Sequence, residues 1–435
     1  MKHKFNAVLS RFWRLNIYTL ALFPIFPRGI QTSLVISLLI LSIFLCRGVN
    51  KNKKTLFNGI IFSSIFIIYL ISLIYTNNIK EGLLMITRTS PFLAFPLIFA
   101  FLSVGQITTE ISNKTIKIFT TAVFLKLLFT QLSLLSFFEN KTQVSKWDYR
   151  KGFELITDIH GTYFSLWIGF ASLFLLSEIL KELKSKNLLK AVAFGIIISY
   201  FFYWQATLEA RIPLIVTLIL SFVLIVIKTK KVIAVPFFGL IIAAFYFFVI
   251  SQAPNYFNKT KKIFEYDFSL PKGNYNINYS SISNFQIRNG IYLCSFEVIK
   301  KSWLFGYGVG DTQDQLRSCY EANLESNVYE VFTFNSHNQY LQVCLSSGIF
   351  GLIIFLYSQL SLISYALRNS DTLFLFFLLL CFFCLLSENI FSRHDGVIFY
   401  TFIGSIMLFK NEQKIISTRV KKKLTLPEDS KRHVK

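Results

Sequence analysis

Apolar residues in this chain run in long blocks rather than in alternation. A helix needs about 20 mainly apolar residues to cross a hydrocarbon core of about 30 Å. Blocks of that order recur at 15–27, 31–46, 57–76, 83–103, 116–137, 161–180, 190–208, 212–227, 232–251, 341–366, 372–388 and 396–409. The pattern predicts an all-α integral membrane protein with about twelve transmembrane helices. Pro24, Pro27 and Arg28 interrupt the first two blocks, which read as two spans, one tilted hairpin or a partly re-entrant pair. The basic start (Lys2, Lys4, Arg11, Arg14) is followed by no small-x-small cleavage site, so no cleavable signal peptide is expected.

The polar stretches between blocks are short, with one exception. The chain divides into nine spans over 1–251, a loop region at 252–340, three spans over 341–409 and a basic tail at 410–435. Structureless loops longer than about 12–15 residues are uncommon unless functional. Helical spacing over 285–305, with Ile291, Cys294 and Val298 on one side, predicts a helix inside the large loop. A smaller loop at 138–160 mixes charges (Lys146, Asp148, Arg150, Lys151, Glu154, Asp158).

Composition agrees: 53% of residues are hydrophobic, 49 are Phe, only 16% are charged, and mean hydropathy is +0.52. These values exclude a disordered chain, a disulfide scaffold and an ordinary soluble enzyme. The net charge of +22 would elsewhere suggest nucleic-acid binding. Its distribution argues otherwise. With the N-terminus inside, the inner segments carry 27 Lys and Arg against 7 acidic residues, and the outer ones 16 against 16. Arg88 and Lys126 fall within spans. The excess is therefore a topology signal that puts both termini in the cytoplasm and the large loop outside. No nucleic-acid partner is expected, and the basic tail sits near anionic headgroups.

Few motifs carry chemistry. Cys381 and Cys384 have CxxC spacing but lie in an apolar helix, where packing is the plain reading. Cys294 and Cys319 share the outer loop, where a disulfide could form. No His/Cys set has metal-ligand spacing and no GxxxxGK[ST] loop occurs, so no metal and no ATP is indicated. Gly306-Tyr307-Gly308-Val309-Gly310 is a weak phosphate-loop candidate, lacking a strand–helix setting.

The informative stretch is FNSHNQYLQVCLSSGIFG at 334–351, where loop becomes span. Taken as helical, Cys344 and Gly348 fall about 20° from the direction of His337 and Gly351 about 40°. His337 would then head a stripe of small residues open to a lipid chain or a neighbouring helix. It reads either as a base acting on a lipid-linked headgroup or as an interfacial histidine that only hydrogen-bonds. Arg211, in a tight outer turn, reads as a phosphate ligand or as a snorkelling side chain. Arg288, opening the loop helix, reads as a phosphate ligand or a solvated charge. Arg88 is costly inside a span and could serve a partner, a structural bridge or a carrier phosphate.

His337-Asn338, nine residues, Gly348, two residues and Gly351 resemble the H-[NSQ]-x9-G-x-x-[GTY] pattern of bacterial O-antigen ligases and the related O-antigen polymerases. The loop ahead of the motif, the Glu209-Ala210-Arg211 turn, Arg288…Trp303…Gly306-Tyr307-Gly308 and Glu388…Arg393…Gly396 are similar as well. The resemblance covers most of 80–405. It implies a GT-C-like glycosyltransferase of the bacterial inner membrane that needs no metal, cofactor or nucleotide sugar. Such an enzyme moves a glycan from undecaprenyl pyrophosphate, on the periplasmic face, to a sugar hydroxyl. For a ligase the acceptor is lipid A–core, and for a polymerase another carrier-linked repeat. The single compact outer region resembles the ligase branch more. Carried over, His337 would be the general base, and Arg211 and Arg288 would hold the pyrophosphate. Arg88, Asn338, Gly348 and Gly351 would support them. A lipid-linked glycan transporter and a non-catalytic scaffold are the rival classes; transporters bind near the bilayer midplane between internal repeats, and no repeat is visible here.

Overall fold

The computed structural model describes residues 2–46, 48, 52–102, 107–139, 146–229, 269–275 and 284–424. The expected span at 232–251 lies outside the described residues, as do 252–268 of the loop and 425–435 of the tail. Helices dominate, and an isolated bridge of strand type joins Gly273 to Ser326.

The chain is a multi-pass membrane protein. Among the described residues, seven helices are long and apolar enough to cross a bilayer. They are α2 (Arg28–Leu45), α5 (Ile79–Thr89) and α6 (Pro91–Pro96) with the helical residues that continue them to Phe101, α7 (Thr109–Phe137), α9 (Gly161–Lys184), α10 (Leu188–Thr207), α11 (Arg211–Thr229) and α15 (Gln339–Arg368). A further apolar pair, α3 (Lys53–Phe62) and α4 (Ser64–Ser72) with its extension to Tyr75, is bent by 56° and forms either a broken span or a re-entrant loop. Polar side chains start these helices by accepting otherwise unpaired N–H groups: Asn78 for α5, Thr108 for α7, Asn187 for α10 and Asn338 for α15.

Two expected spans take other forms. The block at 15–27 is split: α1 (Lys2–Leu20) stops at Leu20 and 21–26 form turns. Gln31 pins those turns, its Nε2 donating to Phe23 O at 3.0 Å and Phe26 O at 2.8 Å. Trp13 to Ser42 and Asn16 to Ser37 then hold α1 antiparallel to α2, so the first two blocks form a hairpin. The block at 372–388 is helical only over α16 (Thr372–Cys384), about 20 Å long, and hands its last residues to a loop. The last block lies within α17 (His394–Leu424). Arg28 bridges Asp158 and Asp395, both at 3.0 Å, tying the hairpin to the ends of two other elements.

The main core is built from Phe, Leu and Ile with α9, the most buried of the candidate spans, at its centre. Phe391 and Tyr400 meet at 4.8 Å and Phe92 and Phe391 at 4.8 Å, packing the 385–393 loop onto the bundle. A second, smaller core lies under α12 (Asn284–Lys301), α13 (Thr312–Asn323) and α14 (Val328–Val331). Here Ile291, Cys294 and Val298 are buried on the predicted face of α12. Cys294 and Cys319 form a disulfide with Cα atoms 5.6 Å apart, closing the pairing that spacing left open.

Gly348 overturns the expectation of an unbroken helix. Its backbone (φ 63°, ψ −163°) breaks α15, a conformation suited to glycine. The 303–310 segment repairs the break: Tyr307 N donates to Leu345 O at 2.9 Å, Gly308 N to Ser346 O at 2.9 Å, and Ile349 N to Trp303 O at 2.8 Å. A Cβ on Gly348 would collide with the Leu304 carbonyl, and one on Gly306 would lie 2.6 Å from Leu345 O. The glycines of 306–310 thus serve a backbone suture rather than a phosphate loop. The stripe of small residues below His337 does not exist as drawn, because the helix twists out of register at Gly348. Gly351 faces Ser347 and Ile68.

Candidate functional site

His337 stands one residue before the N-cap of α15, not on the helix. Its φ of 42° is left-handed, and Asn335 Oδ1 accepts its N–H at 2.9 Å, an Asx turn that holds this backbone. Asn338 caps α15 by accepting from Tyr340 N at 2.9 Å and Leu341 N at 3.2 Å. Asn338 is therefore a positioning residue in this geometry, and the helix begins at Gln339.

The imidazole faces Glu388, which sits in the loop left by the shortened α16. Nδ1 lies 3.3 Å from Oε2 and 3.4 Å from Oε1. Arg288, near the N-terminal end of α12, donates Nη2–H to Glu388 Oε1 at 3.2 Å and Nη1–H to Ser387 O at 3.0 Å. Burial pushes the Glu388 carboxyl up, but the hydrogen bond and charge of His337, with Arg288 and His160, hold it below the ordinary glutamate value. A carboxylate on Nδ1 fixes the proton there and turns Nε2 outward as an acceptor. Nε2 has no partner among the described residues, and a quarter of the side chain is exposed. Arg288 uses only two of its five N–H donors.

Buried amides hold this loop pair in register. Gln339 N donates to Leu385 O and Phe391 N to Gln339 Oε1, both at 2.9 Å. Asn389 Nδ2 donates to Ser336 Oγ and Gln342 Oε1, both at 3.1 Å. Tyr163 of α9 closes the frame on Asn389 O at 3.2 Å. With polar partners satisfied, such networks specify one arrangement.

A second cluster, between α8 (Lys146–Thr157) and α9, lies within electrostatic range. His160 caps α9, its Nδ1 accepting from Thr162 N at 3.3 Å. Its Nε2 is 3.4 Å from Arg150 Nη2 and 3.8 Å from Glu154 Oε1. Glu154 also accepts from Gly161 N at 2.9 Å. Burial lowers the His160 pKa; Glu154 and Glu388 act against that, and Arg150 and Arg393 add to it.

Of the sequence-predicted residues, His337, Asn338 and Arg288 come together. Arg211 opens α11 as an exposed side chain with no ion pair among the described residues. Its turn lies at this end of the bundle: a Cβ on Gly161 would sit 3.5 Å from Leu208 and 3.6 Å from Arg150. Arg88 is exposed in the last turn of α5 and pairs with nothing among the described residues. No group of three or more His, Cys, Asp and Glu could hold a metal ion among the described residues. Sequence reasoning missed Glu388 as a site residue, although Glu388…Arg393…Gly396 had already marked it. It also missed His160, whose signal was only that it is one of five histidines.

A family model described as O-Antigen ligase matches residues 206–356, a region that holds Arg211, Arg288, His337, Asn338, Gly348 and Gly351. The resemblance to the O-antigen ligase and polymerase superfamily read from those residues holds. No curated protein matches the chain.

Proposed function

We propose that this chain, with its O-antigen ligase region over 206–356, is an inner-membrane glycosyltransferase that moves a glycan from undecaprenyl pyrophosphate to a sugar hydroxyl of lipid A–core. The observation that carries the reading is the His337–Glu388 pair with its unpartnered Nε2 beside Arg288. In this reading Nε2 accepts the acceptor hydroxyl's proton as the oxygen attacks the anomeric carbon. The carbon–oxygen bond to pyrophosphate breaks and its electron pair leaves with the phosphate. Glu388 stabilises the imidazolium that forms. Arg211 and the free N–H groups of Arg288 take up the charge developing on the leaving group, so no metal, cofactor or nucleotide is invoked.

The same reading assigns the GT-C-like architecture of about twelve spans, with both termini cytoplasmic and the loop of 252–340 periplasmic. Arg88 would meet the carrier chain or its phosphate inside the membrane. The inner and outer charge balance supports the orientation. A polymerase acting on a second carrier-linked repeat uses the same donor chemistry and is the second reading. The compact unit of α12 to α14 ahead of His337 favours the ligase.

Purified protein given carrier-linked donor and lipid A–core should form a glycosidic product, and His337→Ala should not. A His337→Ala protein that inserts and retains full transfer would overturn the base assignment. In cells, loss of a ligase leaves core-only lipopolysaccharide with polymer stranded on the carrier. Loss of a polymerase leaves core bearing a single repeat.

A further inference from the structure

A hollow of about 320 Å³ opens in the unit of α12 to α14, away from the reacting atoms. Its floor is aromatic. Tyr320 and Tyr329 are buried with ring centroids 5.3 Å apart. Both hydroxyls are taken by backbone carbonyls, Tyr329 by Ile287 at 2.9 Å and Tyr320 by Phe334 at 3.4 Å. Their hydroxyls are thus spent within the fold, and the ring face that stands exposed at the hollow is that of Phe332. The rim is charged: Arg317 and Glu321 on α13 and Glu330 on α14, all exposed. Arg317 and Glu321 have the four-residue spacing of a helical ion pair. Yet none of the three forms an ion pair among the described residues, so their hydrogen-bonding capacity is unspent.

The frame around the hollow is rigid and leads to the imidazole. The disulfide fastens α13 to α12. Gln313, on the hollow's side of α13, donates to Phe334 O at 2.9 Å. The Phe334 ring lies 5.8 Å from Tyr329 and 6.2 Å from His337. The hollow and His337 thus share one aromatic wall.

We propose that this hollow is a saccharide subsite, which takes one sugar unit of a glycan substrate while another unit of that glycan reaches His337. The inference rests on the transfer reading above. The charge pattern selects the ligand class. Two carboxylates repel a pyrophosphate, and Arg317 repels a metal ion. A sugar ring presents hydroxyls that both donate and accept, matching Arg317, Glu321 and Glu330. Its C–H face meets the electron-rich face of an aromatic ring. The volume lies at the small end of the roughly 300–1,000 Å³ typical of ligand sites, which suits one sugar unit rather than a chain.

Either the donor glycan or the acceptor core could supply the sugar, and the test separates them. Full-length protein in lipid nanodiscs is examined by saturation-transfer NMR with two soluble probes: glycan released from its carrier, and core oligosaccharide freed of lipid. Saturation should reach one probe, and Phe332→Ala and Arg317→Ala should remove it. In transfer assays the same two variants and Glu321→Gln should raise KM for that substrate alone by about tenfold, with kcat within about twofold. All three side chains are exposed, so melting temperatures should not move. A raised donor KM assigns the hollow to the donor glycan, and a raised acceptor KM to the acceptor. The proposal is overturned if neither probe is saturated, or if saturation and both KM values survive all three substitutions. If the wild-type protein makes no product, the transfer reading fails, and the NMR arm still decides the hollow.

Discussion

Two imidazole–carboxylate–guanidinium clusters stand close together, and only one leaves a ring nitrogen open. In His337–Glu388–Arg288 the carboxylate takes Nδ1, and Nε2 has no partner among the described residues. In His160–Glu154–Arg150 the backbone of α9 takes Nδ1, and Arg150 and Glu154 crowd Nε2. The residue types are the same. What differs is how the local backbone uses the ring: an N-cap consumes an imidazole, whereas an Asx turn one residue outside the helix frees it. Chemistry follows the unspent nitrogen, not the presence of histidine.

The largest expected effect tests that contrast directly. His337→Ala should lower kcat by about 10²–10⁴-fold, the usual worth of a general base, while His160→Ala stays within about threefold. Equal losses in a donor-to-acceptor transfer assay would break the comparison. Glu388→Gln should cost about 10²-fold in kcat, because the amide neither fixes the tautomer as a carboxylate does nor stabilises the imidazolium. Glu154→Gln should leave the rate near wild type.

Gly348→Ala comes next and sharpens the point about backbone. The added Cβ meets Leu304 at a left-handed φ, so the suture must open at a cost of about 1–3 kcal/mol. A lower melting temperature should be seen in the fluorescence of the buried Trp13, Trp167 and Trp204. Transfer should fall with it, since the suture supports the helix that carries Asn338.

The smallest effect is in pH dependence. His160 has a depressed pKa in the fold, so its contribution to stability is complete above the ordinary value near 6.5 and is lost as pH falls through the depressed one. His160→Asn keeps a capping side chain and should remove part of that decline in melting temperature. Glu388, also depressed, contributes above about 4.5 and loses its contribution only below that value. The two clusters should therefore fade in separate pH windows; Glu388→Gln that flattened the near-neutral decline would contradict this.

Much of the site was legible in the sequence, for identifiable reasons. His337, Arg288 and Glu388 all lie in quoted motif stretches, and the α12 face was visible because Ile291, Cys294 and Val298 repeat at helical spacing. The geometry at His337 was not legible. Continuing a helical wheel through 337–351 assumed one unbroken helix, whereas Asn338 starts the helix and Gly348 breaks it. Both are local backbone states that depend on partners elsewhere: Leu385 for the start, and Trp303, Tyr307 and Gly308 for the break.

The sequence by itself determined that the chain is an all-α membrane protein, because apolar length answers to the bilayer and needs no tertiary contact. It also determined which motif to examine. Only the tertiary structure decided which of two similar histidines keeps a free nitrogen, and that the glycines of 306–310 bind backbone. Those outcomes rest on hydrogen bonds between residues far apart in the chain, such as His337 and Glu388, whose pairing no local spacing encodes.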